Sequence, residues 1–254
     1  MKSARLWVGG AVCWSMLAVA CGGDGKKASG GVTVRGSGGA TDSGRVTQAN
    51  ARGESAGAIG RATATRQRLL FVGTSLTAGY GLEPEQAYPV LISQRIDSLG
   101  LAFEVVNAGV SGATSADTRR QVRWLVRQPI DVFVLETGAN DGLRGLSVDS
   151  MRANLRAILD TVRLIHPRAR LFLMQMEAPP NLGSRYTSDF EATFPAVAKE
   201  TGATLIPFLL AGVAGQDALN QQDGIHPNER GERMVADNVW RALRPTLDPK
   251  GATR

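Results

Sequence analysis

From residue 68 onward, short apolar runs alternate with apolar residues at helical spacing, and this alternation constrains the fold more than any other feature. Residues 68–73 form a mostly apolar run that ends in glycine, which is typical of a buried parallel strand. Further strands are predicted at 103–107, 130–135, 170–174 and 204–208, and amphipathic helices at 88–99, 114–126, 151–165, 190–197 and 228–243. The pattern predicts an α/β fold in which helices cover both faces of a parallel sheet.

Local signals refine several of these boundaries. Thr114 and Asp117 have the spacing of a capping box, which predicts a helix start. Residues 178–186 are rich in proline and are predicted to form a loop, and Pro195 is predicted to kink the helix that contains it.

The two histidines are predicted to lie at opposite edges of this sheet. Function in open α/β sheets is found at the carboxyl ends of the strands. His226 follows the last predicted strand and therefore belongs to this edge. His166 ends the helix before the fourth strand, where a histidine has a favourable dipole role, and we interpret it as structural. His226 is then the one candidate for acid–base chemistry by imidazole.

The polar residues that follow the strands can be interpreted as catalytic residues or as turn and cap residues. Asp223 can orient the imidazole of His226 from three residues away, or it can form an Asx turn. Ser75 can be an exposed nucleophile or a hydroxyl cap, and Ser111 is the second candidate nucleophile. Asn140 can donate to an oxyanion or serve only as a turn residue. No single segment decides between the catalytic and the structural interpretation.

Taken together, the segments resemble the SGNH (GDSL-type) hydrolase family, above all its bacterial thioesterases, lysophospholipases and arylesterases. The matching blocks are 73–82, 107–109, 138–145 and 223–228, and the resemblance spans roughly residues 68–245. It implies a three-layer α/β/α sandwich around a five-stranded parallel sheet. It also implies Ser75 as nucleophile, His226 as base, Asp223 as its orienting acid, and an oxyanion hole made by Ser75, Gly109 and Asn140. No metal or organic cofactor is implied.

The expected substrate is a small or aryl carboxylic ester or a lysophospholipid. Two alternatives stay open, an acyl thioesterase and a catalytically weak binding module of the cell envelope. Two positions depart from the family pattern: Thr74 stands where the family has Asp, and Ala139 where many members have Gly. An Asp can accept hydrogen bonds that pin neighbouring loops, and Thr can replace only part of that capacity.

The N-terminal residues are interpreted as an export signal. Lys2 and Arg5 precede an uncharged apolar run from 6 to 20, and Cys21 follows small residues. This resembles a bacterial lipoprotein signal, with Ala18 where that pattern prefers Leu. The alternative is an ordinary signal peptide cleaved after Ala20. The predicted organisation is a signal peptide at 1–20, a disordered Gly-rich tether at 21–66 and a hydrolase domain at 67–254, exported to the cell envelope and bound to a membrane by lipid on Cys21.

The charge and the cysteine content argue against several other classes of protein. Residues 1–66 carry nine Lys/Arg and three Asp/Glu, a net charge of +6, whereas residues 67–254 carry twenty of each and are neutral. The charge count therefore argues against a nucleic-acid-binding face on the folded part. Both cysteines, Cys13 and Cys21, precede it, which excludes a disulfide framework or thiolate metal site there. The oligomeric state is left open.

Overall fold

The computed structural model describes residues 66–248, and its centre is a five-stranded sheet. The strands are β1 (Gln67–Gly73), β2 (Phe103–Gly109), β3 (Val132–Leu135), β4 (Arg170–Met174) and β5 (Thr204–Ile206). They lie in the order β2-β1-β3-β4-β5, and every neighbouring pair is parallel. All five carboxyl ends therefore meet at one edge of the sheet, and the predicted five-stranded parallel sheet is confirmed.

Within residues 66–248, seven α-helices connect or follow the strands. They are α1 (Ser75–Ala78), α2 (Tyr88–Ser98), α3 (Ser115–Leu125), α4 (Ala139–Leu143), α5 (Val148–Ile165), α6 (Ser184–Thr201) and α7 (Glu229–Leu247). Right-handed crossovers place α2 on one face of the sheet and α3, α5 and α6 on the other. Helix α7 packs against α2, whereas α5 packs between α3 and α6. The result is the predicted three-layer α/β/α sandwich.

The apolar patterns of the sequence become the buried core. All four residues of β3 are buried, as expected for a central strand that is covered on both faces. In α5 the five residues at helical spacing are fully buried (Met151, Leu155, Ile158, Leu159 and Val162). Helix α3 begins with the predicted capping box, in which the Thr114 N–H donates to the Asp117 carboxylate over 2.9 Å.

The structure corrects the prediction in the connecting segments. The predicted loop at 178–186 contains a short 3₁₀ helix, Pro180–Leu182, and the first turn of α6. Helix α6 extends from Ser184 through Pro195 to Thr201 and is longer than the predicted helix at 190–197. Helices α1 and α4, with four and five residues, were not predicted because they are too short to show helical periodicity.

Within residues 66–248, no helix has both the length and the apolar composition needed to cross a bilayer. The predicted signal peptide and the tether up to residue 65, including Cys21, lie outside the described residues.

Candidate active site

The carboxyl edge of the sheet brings Ser75, His226 and Asp223 into one hydrogen-bonded chain. Ser75 is the first residue of α1 and follows β1 after one residue. Its Oγ lies 2.9 Å from His226 Nε2, and His226 Nδ1 lies 2.6 Å from Asp223 Oδ2. A proton on Nδ1 that is donated to Asp223 leaves Nε2 free to accept the proton of the serine hydroxyl. This is the geometry of a serine nucleophile with its general base and an orienting carboxylate.

The loop before α7 holds His226 in place through its own backbone. Asp223 Oδ1 accepts the backbone N–H groups of Ile225 and His226 over 2.9 and 3.0 Å, while Oδ2 binds the imidazole. The Asx turn and the orienting role, which the sequence left as alternatives, therefore coexist in one carboxylate. Partial burial favours the neutral acid, but the hydrogen bonds from His226 and Ile225 outweigh it and lower the pKa of Asp223. Asp223 is thus held in the ionised form that an imidazolium needs beside it.

Asn140 also lies at this site, on the short helix α4. One N–H of its side-chain amide donates to the Ala113 carbonyl over 3.0 Å, which fixes the plane of the amide. Asn140 lines the same cavity as Ser75 and His226. Since a primary amide has two N–H donors, the second is available to a ligand.

Gly109 does not reach the site, and the prediction that it forms part of the oxyanion hole is corrected in this respect. Its backbone N–H donates to Asn107 Oδ1 over 3.0 Å, and it is not among the residues that line the cavity. The glycine has a packing role instead. A Cβ at this position would lie 2.7 Å from the Thr77 carbonyl carbon, so only glycine lets α1 lie this close to β2.

Ser111 and Gly112 line the cavity in place of Gly109. Gly112 has a φ of 77°, in the left-handed region, and among the described residues no acceptor takes its backbone N–H. The signal in the sequence was the Ser-Gly pair that follows the end of β2 by two residues. Ser111, the second candidate nucleophile, is not paired with His226, because the imidazole binds Ser75.

A buried carboxyl group that sequence analysis missed, Glu136, anchors the start of α1. It follows β3 directly and is fully buried. It accepts the Thr74 N–H over 2.7 Å, the Thr74 hydroxyl over 3.0 Å and the Thr77 hydroxyl over 2.9 Å. Burial raises the pKa of Glu136, and the donors from Thr74 and Thr77 oppose that rise. A charged residue at the end of an apolar strand was the available signal.

Thr74 therefore acts as a hydrogen-bond donor where the family pattern has an acceptor. Through its N–H and its hydroxyl it ties the residue before Ser75 to Glu136. Thr74 thus holds the neighbouring segments together, as an Asp at this position is expected to do. It donates the hydrogen bonds, however, whereas an Asp would accept them.

The remaining candidate residue, His166, lies at the opposite edge, as predicted. It is the C-cap of α5, and its Nε2 lies 2.8 Å from the Val126 carbonyl oxygen at the end of α3. This contact joins the ends of two helices and has no part in the site around Ser75.

The cavity beside Ser75 has a volume of about 480 Å³. Its wall is mostly apolar and includes Leu76, Leu143, Met176, Phe208, Leu210 and Ile225. Within residues 66–248, no group of three or more His, Cys, Asp or Glu side chains is arranged to hold a metal ion. The cavity can thus receive an apolar group next to the Ser75 hydroxyl.

Comparison with known proteins finds one family that matches most of the described chain. Residues 71–234 match the GDSL-like lipase/acylhydrolase family. Esterase TesA of Pseudomonas aeruginosa is 37% identical over 185 residues, which is 72% of this chain and 91% of that protein. Thioesterase 1/protease 1/lysophospholipase L1 of Escherichia coli K12 is also 37% identical, over 73% of this chain and 87% of that protein.

A solved structure agrees with these sequence matches. The psychrotrophic esterase EstA from Pseudoalteromonas sp., in a structure inhibited by monoethylphosphonate, superimposes with a TM-score of 0.68. It is 32% identical, and the match covers 72% of this chain and 99% of that one.

Proposed function

The chain belongs to the GDSL-like lipase/acylhydrolase family and is a serine ester hydrolase, and we propose that Ser75 is its nucleophile, His226 its general base and Asp223 the acid that orients the base. The observation that carries this assignment is the continuous chain of hydrogen bonds, 2.9 Å from Ser75 to His226 and 2.6 Å from His226 to Asp223.

The reaction follows from the positions of these groups. Ser75 Oγ attacks the ester carbonyl carbon while His226 Nε2 takes its proton, and the negative charge of Asp223 stabilises the imidazolium. The imidazolium then protonates the leaving alcohol, which departs and leaves an acyl group on Ser75. Water, activated by the same imidazole, hydrolyses the acyl-enzyme and restores the serine.

Three donors are proposed to stabilise the oxyanion of the tetrahedral intermediate: the backbone N–H groups of Ser75 and Gly112 and the side-chain amide of Asn140. Ser75 is the first residue of α1, so its N–H has no acceptor within that helix. Gly112 and Asn140 line the cavity and each has an N–H available to a ligand. Donors of this kind bind the oxyanion more strongly than the carbonyl oxygen of the substrate.

The proposed substrates are small or aryl carboxylic esters and lysophospholipids. The apolar cavity of about 480 Å³ suits an acyl or aryl group of moderate size. An acyl thioester is the second candidate, because the relative from E. coli is named as both a thioesterase and a lysophospholipase. A mere binding module has no need for the aligned Ser75 and His226.

A fluorophosphonate probe tests the nucleophile. The probe should label the wild-type chain at one site, and Ser75→Ala should lose both the label and the hydrolysis of short aryl esters. Ser111→Ala is the matched control, since Ser111 lines the same cavity without a bond to His226, and it should keep the label. Labelling that survives Ser75→Ala, or is lost in Ser111→Ala, contradicts the assignment.

The enzyme is further proposed to act outside the cytoplasm, held to a membrane by lipid on Cys21. Support comes from the sequence, in which Lys2 and Arg5 precede an apolar run and small residues precede Cys21. Cys21→Ser should move the protein from the membrane fraction to the soluble fraction without changing its activity per molecule. Cys13→Ser, which changes the other cysteine, is the control and should stay with the membrane. A wild-type protein found free in solution contradicts the anchor.

A further inference from the structure

One charged residue, Glu177, interrupts the apolar wall of the active-site cavity. It follows β4 by three residues and lies between Met176 and Ala178, which also line the cavity. Among the described residues that line this cavity, Glu177 is the only carboxylate, and none is Lys or Arg. The wall beside the reaction centre thus carries one negative charge and no fixed positive charge.

Among the residues that the structure describes, no ion pair neutralises Glu177. Two arginines on adjoining segments have other partners: Arg144 donates to the Gly112 carbonyl over 2.9 Å, and Arg185 lies 3.9 Å from Asp189. Burial raises the pKa of Glu177, and the negative charge of Glu191 raises it further. A cation in the cavity would relieve both effects, because it favours the ionised carboxylate.

An aromatic ring adds a second group that favours a cation. Tyr80 lines the same cavity, is half exposed, and has its ring centroid 4.7 Å from that of His226. Aromatic faces and a carboxylate are the groups that bind quaternary ammonium ions in proteins, since such ions are weakly hydrated and form no hydrogen bonds.

We propose that Glu177 is a specificity-determining residue that makes the enzyme prefer esters carrying a quaternary ammonium group over uncharged esters of the same shape. The inference rests on the proposed function and deepens it, because it concerns the substrate class of the same site. The hydrolysis is unchanged: water is added across the ester bond, giving the carboxylic acid and the alcohol. Esters with a net negative charge are disfavoured by the same carboxylate, whereas a lysophospholipid whose headgroup carries a quaternary ammonium has no net charge.

Isosteric substrates test the charge alone. Butyrylcholine and 3,3-dimethylbutyl butyrate differ only in nitrogen against carbon and place the charge on the alcohol side. The phenyl esters of 4-(trimethylammonio)butyrate and of 5,5-dimethylhexanoate place it on the acyl side. The wild type should show a higher kcat/KM for the charged member of at least one pair, by about threefold or more, as expected for a partly exposed ion pair. Glu177→Gln should lower that ratio to near one, and Glu177→Lys should invert it.

Glu104→Gln is the matched control, since it removes one negative charge at the start of β2, at the edge of the sheet opposite the cavity. It should keep the wild-type ratio. Equal ratios in the wild type and Glu177→Gln for both pairs would overturn the proposal, as would a ratio that falls equally in Glu104→Gln. Failure of the wild type to hydrolyse any of the four esters would instead overturn the proposed function, and this inference with it.

Discussion

The backbone that carries Ser75 is held by the carboxyl group of Glu136, which receives three donors from Thr74 and Thr77. A buried carboxyl group is costly unless its oxygens are hydrogen-bonded, and here the donors come from the turn that presents Ser75, the proposed nucleophile. The position of Ser75 is therefore coupled to the hydrogen bonding of a buried carboxyl group. At the level of single residues, this coupling fixes the serine before any substrate binds.

Asn140 is the residue at which the structural and catalytic roles can be separated by kinetics. Asn140→Ala should lower kcat by about 100- to 1,000-fold with little change in KM, because the second N–H of Asn140 is proposed to bind the oxyanion of the transition state. Asn140→Asp should be at least as damaging, since it places negative charge beside the oxyanion. The measurement is steady-state kinetics on a short-chain aryl ester.

The control for this prediction is Asn238→Ala. Asn238 also donates its amide to backbone carbonyls, those of Leu209 and Ala211, but it is not among the residues lining the cavity. It should lose stability and keep its turnover per folded molecule. If a folded Asn140→Ala variant has a kcat within threefold of the wild-type value, Asn140 does not act in the oxyanion hole.

Residue identities at the sheet edge were predictable where chain order alone determines them. Ser75, Asn140 and His226 each follow a strand, so the topology brings them together whatever the details of the loops. Gly109 and Gly112 could not be told apart in this way. They are three residues apart, and the choice depends on the path of the chain after β2, which a positive φ at Gly112 redirects.

At the scale of elements, the contact between α1 and β2 determines how Ser75 is presented. Gly109→Ala should push α1 away from β2, because the new Cβ would lie 2.8 Å from Ala78 Cα. Overpacking of this kind costs about 1–3 kcal/mol of unfolding free energy. Since α1 begins with Ser75, ester turnover per folded molecule should fall as well. Urea denaturation and kinetics on the same preparation measure the two effects.

Val110→Ala is the control for this contact, because Val110 is the next residue and is half exposed. It should leave both quantities near their wild-type values. If Gly109→Ala matches the wild type in stability and turnover, α1 does not depend on the close approach.

The long elements were predictable because burial imposes a period on many residues at once. In α5 five buried positions repeat at helical spacing, and in β3 every residue is apolar. Helices α1 and α4 escaped prediction because four or five residues span little more than one turn. Both nevertheless carry site residues, Ser75 and Asn140, so the least predictable elements are the ones that present the chemistry.

At the scale of the whole molecule, a buried acid on the last helix, α7, binds the start of α2. Glu232, on α7, accepts the Tyr88 N–H at the start of α2 over 2.7 Å. Burial, with a further contribution from Glu136, raises the pKa of Glu232 from 4.5 to about 8. Between these two values the folded chain keeps a proton that the unfolded chain releases. The free energy of unfolding should therefore fall as the pH rises through this interval.

Glu232→Gln tests this pH dependence. The amide oxygen can still accept the Tyr88 N–H, but the side chain no longer titrates. The wild type should lose roughly 2–5 kcal/mol of unfolding free energy between pH 5 and pH 8.5, and the variant should lose clearly less. Urea denaturation at several pH values measures both slopes, with the exposed Glu229→Gln as control. Equal slopes in all three proteins would show that Glu232 does not keep its proton.

The fold class, the family and the hydrolase activity were all predicted from the sequence, and the sheet and the comparisons confirm them. The alternation of strands and helices was enough to predict the fold, because parallel strands must be joined by crossover connections, which are usually helices. Four sequence motifs in a fixed order were enough to predict the family. The pairing of Glu136 and Glu232 with distant donors could not be predicted, since such contacts depend on packing between elements far apart in the chain.

Ser75 and His226 are 151 positions apart, and this separation has a consequence for the order in which the enzyme is made. A ribosome adds residues from the N-terminus, so Ser75, the proposed nucleophile, is synthesised long before His226, the proposed base. A serine hydroxyl without a base to take its proton is a poor nucleophile. On the proposed assignment, a nascent chain or a fragment that stops short of the loop before α7 lacks the base and should not hydrolyse esters. The proposed catalytic pair is complete only when the loop before α7 has been synthesised and has folded at the carboxyl edge of the sheet.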